Sequence, residues 1–549
     1  MKINTRIFVT IVLLICSFCT INILAQITER ERPKEWDLLV PGARFMDRFL
    51  PMPKGVLSSD TWGAENVIPR YTDNGIEDRI NSYWGGNIVL GDDQKYHLFV
   101  CGWKESSPKG HGEWPNSIVY HTICDNSFGP FLIKDTIGPG HNPEIFRLKN
   151  GSYVIYVING YYLSDHLDGP WTYNKFEFNK RDRDIIEGLS NLTFAQREDG
   201  SYLMICRGGG VWISETGLSP YCQITHKRVY PDVEGEFEDP VVWRDHIQYH
   251  LIVNDWLGRI AFYLRSKDGV HWVTDPGEAY TTGFSIHEDG RVEEWFKYER
   301  IKILQDEYGR AIQANFAVID TLKAEDKPND NHSSKNISIP LNPGLLLTML
   351  NDKPIDEKTK EIQIKISAEK GFNPHTDIDI NSLRFGASSE VNFGRGCIVS
   401  SVEKSGPDLI VTFDASGNGI TEEEFAPKLI GKTVSGKSLY GYTRLPWINY
   451  NESILSARIP VFSTNSGTIE VQNFGQVSSK QAILKVYQQK SGTQIEIGSA
   501  GIPPLEAYEK TNVVVDLDDR CEKGEKCHFT ITIQETNRQV STFEFSVGR

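Results

Sequence analysis

Past its first 25 residues, this 549-residue chain has no apolar run long enough to cross a bilayer, so a helical membrane span is excluded there. It has no block of Lys and Arg either. Phosphate backbones are gripped by clustered cations, so at a net charge of −15 nucleic acid is excluded as a partner. Cysteine is sparse, at nine residues, and no Cys and His set is read as a structural zinc site. Helical periodicity is scarce throughout. Strand-like alternation broken by Gly, Asn and Asp turns takes its place, which makes the chain all-β.

Lys2 and Arg6 precede an apolar run over 7–15, and Ile23-Leu24-Ala25 before Gln26 has the small-residue form of a cleavage site. Residues 1–25 therefore read as a signal peptide, and the protein as exported to the periplasm or beyond. The net charge becomes −17 once Lys2 and Arg6 leave with it, and seven cysteines remain. Cys521 and Cys527 flank Glu-Lys-Gly-Glu-Lys like a disulfide closing a hairpin, which suits an oxidising compartment. Cys101, Cys124, Cys206, Cys222 and Cys397 read as small packing residues.

Residues 140–157 give the repeating unit. Asn142-Pro143-Glu144-Ile145 opens a strand, Lys149-Asn150-Gly151 turns it, and Tyr153-Val154-Ile155-Tyr156-Val157 returns. Equivalent openings fall at Gly85, Asn191, Asp239 and Arg300, with steps of 57, 49, 48 and 61 residues. A second signature, staggered against the first, runs Ser164-Asp165-His166-Leu167-Asp168-Gly169-Pro170-Trp171 and again Ser266-Lys267-Asp268-Gly269-Val270-His271-Trp272. Two staggered signals on one period of about 50 residues predict a radial repeat of four-stranded sheets, a five-bladed β-propeller over 26–325. A polar linker is predicted over 326–336, a β-sandwich over 337–446, and a C-terminal Ig-like or adhesion-type sandwich over 447–549. Neither sandwich shows a catalytic cluster, so both read as accessory.

In a propeller the first strand of each blade lines the funnel, and the openings share one mouth. That places Gly85, Asn142, Asn191, Asp239 and Arg300 in a ring, with Trp84, His141, Ser190, Glu238 and Glu299 just before them. Glu187 lies upstream of the third opening, and Arg207 ends the following strand in Arg207-Gly208-Gly209-Gly210. The candidate catalytic residues are thus His141, Glu187, Glu238 and Asp239. Trp84, Asn142, Asn191, Arg207, Glu299 and Arg300 are the candidates for holding substrate. No metal ligand is assigned, although the funnel is a place where a calcium ion can sit.

The five-fold repeat, the Asn-Pro and Asp-Pro openings and the Gly-Pro-Trp turn resemble the five-bladed glycosidases of glycoside hydrolase family 43 and its relatives, over about residues 60–322. Residues 237–243 and 249–255 are also similar to secreted bacterial polysaccharide-utilisation proteins. The resemblance implies three carboxylates from the first three openings: an Asp base, an Asp that tunes pKa and a Glu acid. This sequence departs from that pattern, with Gly85 and Asn142 at the first two openings. Glu187 is the counterpart of the acid, and Glu238, Asp239 and Glu299 come from later blades.

Three functions fit these residues. The first is a glycoside hydrolase acting on oligosaccharides of an acidic polysaccharide, with Glu187 as acid and Asp239 or Glu238 as base. The second is a dehydratase or lyase working by β-elimination on uronic-acid sugars, with His141 as a neutral base and Asn142, Asn191, Arg207 and Arg300 around the acid group. The third is a non-catalytic glycan-binding protein.

Overall fold

The computed structural model describes residues 28, 30–58, 67, 69–185, 189–329, 334–463, 465–490, 492–517, 526–535 and 538–548. The signal-peptide reading, Glu187 and Cys521 lie outside these residues. Cys527 is disulfide-bonded. Cys101, Cys206, Cys222 and Cys397 are free and buried, and Cys124 is free and half-buried.

The chain is all-β, built from many sheets. Five of them follow one another, each built on a meander whose strands pair in sequence order; in the third, the short strand Phe178–Asn179 adds in parallel at the outer edge. Their first strands are Asn81–Leu90, Glu144–Arg147, Thr193–Gln196, Phe237–Arg244 and Lys297–Gln305. Apolar layers fill the spaces between neighbouring sheets. Phe99 and Ile155 lie between the first and second, Tyr156 and Phe194 between the second and third, and Leu203 and Leu251 between the third and fourth. Ala261 and Phe316 lie between the fourth and fifth, and Leu98 and Leu304 between the fifth and the first. The packing therefore returns to its starting sheet.

Polar side chains tie the first strands together where their backbones diverge and cannot form a ladder. Asn87 exchanges two hydrogen bonds with Ile145, and Thr193 Oγ1 donates to Glu144 and accepts from the Val242 amide. The Arg300 amide donates to Asp239. These buried donors and acceptors are satisfied sideways, as polar groups held away from water need to be.

The segment expected to be a linker, 326–336, is corrected at its C-terminal end. Lys335–Pro340 is the third strand of the fifth sheet, paired with Ala311–Ile319. Its polar letters misled because Lys335, Asn336 and Ser338 are buried there. Asn315 donates to Ser338 Oγ, and Asn74 bonds both its carbonyl and its amide.

Beyond Pro340 two further pairs of sheets enclose separate cores. Ile364, Phe385 and Phe413 fill one, and Leu484, Val515 and Ile531 fill the other. Both are fastened to the earlier sheets by buried cations. Arg265 donates to Ser388 and to the Ala426 carbonyl, and Arg310 pairs with Glu369 at 2.6 Å. Arg181 and Asp182, both at positive φ, plug into the last unit. Arg181 donates to Glu470, Gln472 and the Ser456 carbonyl, while Asp182 accepts two bonds from Arg458.

Candidate active site

All five openings adopt the left-handed conformation: Gly85, Asn142, Asn191, Asp239 and Arg300 have φ between 51° and 56°. In the first, fourth and fifth sheets each opening sits in a register shift against the second strand. A residue in that conformation at a bulge turns its side chain out of the strand's alternation. Gly, Asn and Asp tolerate it, whereas Arg300 is held there at a cost of roughly 1–2 kcal/mol.

The ring converges. Arg300 Nη1 lies 2.6 Å from Asp239 Oδ1, and Asn191 Nδ2 donates to Asp239 Oδ1 at 3.1 Å and to Glu238 Oε1 at 2.8 Å. The Asn142 amide, oriented with its oxygen inward, accepts from Arg300 at 2.9 Å. A methyl group on Gly85 would lie 3.0 Å from the end of the Asn142 side-chain amide and 3.7 Å from Arg300 Cβ, so the first opening closes the same circle.

Two flanking groups complete the mouth. Trp84 and Glu299 are joined through Lys323, whose ammonium pairs with Glu299 and lies 4.9 Å from the centre of the Trp84 ring. On the other side, His141 Nδ1 sits 2.9 Å from Ser117 Oγ and 3.5 Å from Cys101 Sγ, with Trp114 tilted against its ring at 4.9 Å. Arg207 donates its backbone N–H to the Ser190 carbonyl, beside the third opening.

The carboxylates differ in access and in charge. The Glu238 side chain is 15% exposed, while those of Asp239 and Glu299 are fully buried. Burial pushes the Asp239 carboxyl up to about 7, with Arg300 opposing and Glu238 and Glu299 adding to the rise. Burial would lift Glu299 as well, but Lys323 and Lys297 outweigh it and hold its carboxyl below the usual range. Desolvation, with Arg300 and Lys323 close by, drives His141 and His111 well below the ordinary imidazole range, so both rings are neutral at pH 7. Of the three acids, Glu238 is the one that can meet a solute.

Lys297, Lys323, His111, Ser117 and Trp114 were missed by sequence reasoning. His111 and Trp114 sit in the 3₁₀ segment Gly110–Asn116, an insertion in the first sheet rich in Gly and aromatic residues, and that composition was an available signal. Lys323 follows Ala311–Ile319, the second strand of the fifth sheet, and has no repeat partner, so no sequence signal marked it.

Calcium does not fit this donor set. It takes about six to eight oxygens, but Asp239 is held by Arg300 and Asn191, and Glu299 by Lys297 and Lys323. Deeper in, Glu144 pairs with Lys302. Past that pair the first strands of all five sheets line a cavity of about 390 Å³.

No protein-family model matches the chain, and no curated protein matches it. Among solved structures, the α-L-arabinofuranosidase from Lactobacillus brevis overlays at a TM-score of 0.34 and 13% identity, covering 48% of this chain and 92% of that one. The GH43 BlXynB protein from Bacillus licheniformis overlays at 0.30 and 10%, covering 87% and 90%. Overlays this loose transfer no residue roles.

Proposed function

We propose that this chain is an exported glycoside hydrolase. In this reading the first five sheets form a five-bladed propeller, two sandwiches follow from about residue 341, and the ring of openings is the active site. One observation carries the proposal: Glu238, the acid with solvent access, is fixed by Asn191 and backed by an Asp239–Arg300 pair drawn from neighbouring strand openings. Glu238 acts as the base or nucleophile on the sugar, and Glu187 donates the proton to the leaving oxygen. Asp239 is a positioning residue that orients Arg300 and Asn191 and shares negative charge with them. Trp114, 38% exposed, offers a ring face for sugar stacking.

An acidic substrate is supported by the local charge. Lys297, Arg300 and Lys323 gather beside Asp239, whose carboxyl is lifted to about 7, in a chain whose net charge is −15. Cations gathered at one mouth attract anions. Export rests on residues 1–25. Among the described residues, no helix is long and apolar enough to cross a membrane.

Elimination stands as the second reading, favoured by His141. That ring is neutral, its Nδ1 is anchored by Ser117, and a neutral base beside cations suits proton removal next to a carboxylate. Incubation with uronate-containing and neutral oligosaccharides separates the readings. New reducing ends without ultraviolet absorbance support hydrolysis, and an absorbing conjugated product supports elimination. Neither product, with binding retained, would leave a glycan-binding protein.

A further inference from the structure

Two buried side chains of the first sheet meet the His141 ring at one nitrogen. Cys101 lies on the second strand of that sheet, Tyr96–Lys104, and Ser117 stands directly before the third, Ile118–Cys124. Ser117 Oγ is 2.9 Å from His141 Nδ1, and Cys101 Sγ is 3.5 Å from the same atom. The sulfur also accepts the Asn142 amide at 3.4 Å, so one thiol ties the imidazole to the second opening.

The next contacts outward fix the hydrogens. Ser117 Oγ touches the Trp114 carbonyl, and Cys101 Sγ touches the Trp84 carbonyl at 2.7 Å. A carbonyl oxygen brings no hydrogen to a contact, so the hydroxyl and the thiol must each supply the one that lies there. Neither has a second. Towards Nδ1 both therefore present only lone pairs, and a ring nitrogen facing two acceptors bonds them only by carrying the proton itself. Trp114 braces the arrangement twice, since its ring also leans on the imidazole at 4.9 Å.

A neutral imidazole has one N–H, so a proton on Nδ1 leaves Nε2 bare. Neutrality is supported by the surroundings: the ring is buried, Arg300 and Lys323 are close, and among the described residues no carboxylate pairs with it. Nε2 itself has no hydrogen-bond partner among the described residues. The protein thus takes hold of one side of the ring and leaves the other for a solute.

We propose that Ser117 and Cys101 are positioning residues that hold His141 as the Nδ1–H tautomer, and that the bare Nε2 accepts a hydrogen bond from a hydroxyl of the bound sugar. The second half rests on the reading of the mouth as the sugar site. A fixed lone pair selects its partner. A hydroxyl can donate to it, whereas a carboxylate or sulfate oxygen has no hydrogen to offer and is repelled. An acidic sugar therefore sets a hydroxyl, and not its anionic group, against His141.

The tautomer is read by nuclear magnetic resonance on the full chain carrying isotope-labelled histidine, with the His141 ring nitrogens assigned by their loss in His141→Gln. A protonated Nδ1 and a bare Nε2 are expected. A wild-type ring with its proton on Nε2, or on both nitrogens, overturns the proposal whether or not any further variant folds. The double variant Ser117→Ala/Cys101→Ala should spread the proton over both nitrogens, and Ser117→Thr, which keeps the hydroxyl, should preserve the wild-type pattern; a folded double variant with that pattern unchanged removes the positioning role. For the acceptor, uronate-containing and neutral oligosaccharides are added to Glu238→Gln, with binding followed by calorimetry. A sugar that binds should move the Nε2 resonance towards its hydrogen-bonded range and leave Nδ1 in place, and adding His141→Ala should weaken its binding roughly three- to tenfold, the scale of one hydrogen bond. Binding with Nε2 unmoved sinks the acceptor role alone. If no sugar binds at all, the reading of the mouth fails, and the acceptor role falls with it.

Discussion

Asp239→Asn isolates the electrostatics of the mouth. The folded carboxyl titrates at about 7 against an ordinary 3.8, because it is buried, with Arg300 only partly compensating. Between those values the native chain holds a proton that the unfolded chain has released. The stability Asp239 contributes is therefore present below about pH 4 and lost as the pH rises through about 7. At about 1.36 kcal/mol per pKa unit, the swing is on the order of 4 kcal/mol. Asparagine cannot titrate, and groups that do not face Asp239 cancel in the difference, whereas the Glu238 and Glu299 charges that add to its rise are part of the effect being measured. The amide costs about 1–3 kcal/mol at every pH, because its NH₂ faces the Arg300 N–H that Asp239 Oδ2 accepts. Urea denaturation of both proteins from about pH 4 to about pH 8 should show the wild-type advantage shrinking by that swing. A constant difference across the series would refute the raised carboxyl and the reasoning built on it.

Three further outcomes follow from the packing. A chain ending at Asn331 should fail to melt cooperatively, because it lacks the fifth-sheet strand Lys335–Pro340 and its bonds to Asn315 and Asn74; a soluble, cooperatively melting product would restore the linker reading. Gly85→Ala, at φ 56° with the Asn142 side-chain amide 3.0 Å from the new methyl, should cost roughly 1–2 kcal/mol in thermal melts and lower kcat/KM by displacing Asn142 and Arg300. Arg181→Ala should cost about 2–3 kcal/mol, since Glu470, Gln472 and the Ser456 carbonyl lose their shared donor; limited proteolysis near residue 181 reports the same loosening.

The openings were legible because a repeat aligned on turn chemistry finds the positions where the backbone is unusual. Gly85, Asn142, Asn191 and Asp239 are residue types that accept positive φ, and Arg300 was found by spacing alone. The strand at 335–340 was not legible. Its Lys, Asn and Ser satisfy their polar atoms inside the fold, so a hydrophilic string conceals a buried strand. Lys323 and Lys297 were missed for a related reason, as their role depends on Glu299, a partner that the fold rather than the local sequence supplies. The accessory reading of the later sheets also needs revision on physical grounds. Arg181, Asp182 and Arg183 lie between the outer strand Phe178–Asn179 of the third sheet and its first strand, and they are gripped by the last unit.

Kinetics of Glu238→Gln on an oligosaccharide that the intact enzyme cleaves test the central claim most directly, with folding checked by thermal melting. Hydrolysis at this mouth predicts that kcat falls by roughly 10²–10⁴ while KM stays within a few-fold, and that wild-type products are reducing and do not absorb in the ultraviolet. Near-wild-type turnover in Glu238→Gln, together with absorbing products and an inactive but folded His141→Ala, would contradict hydrolysis and assign the chemistry to the imidazole.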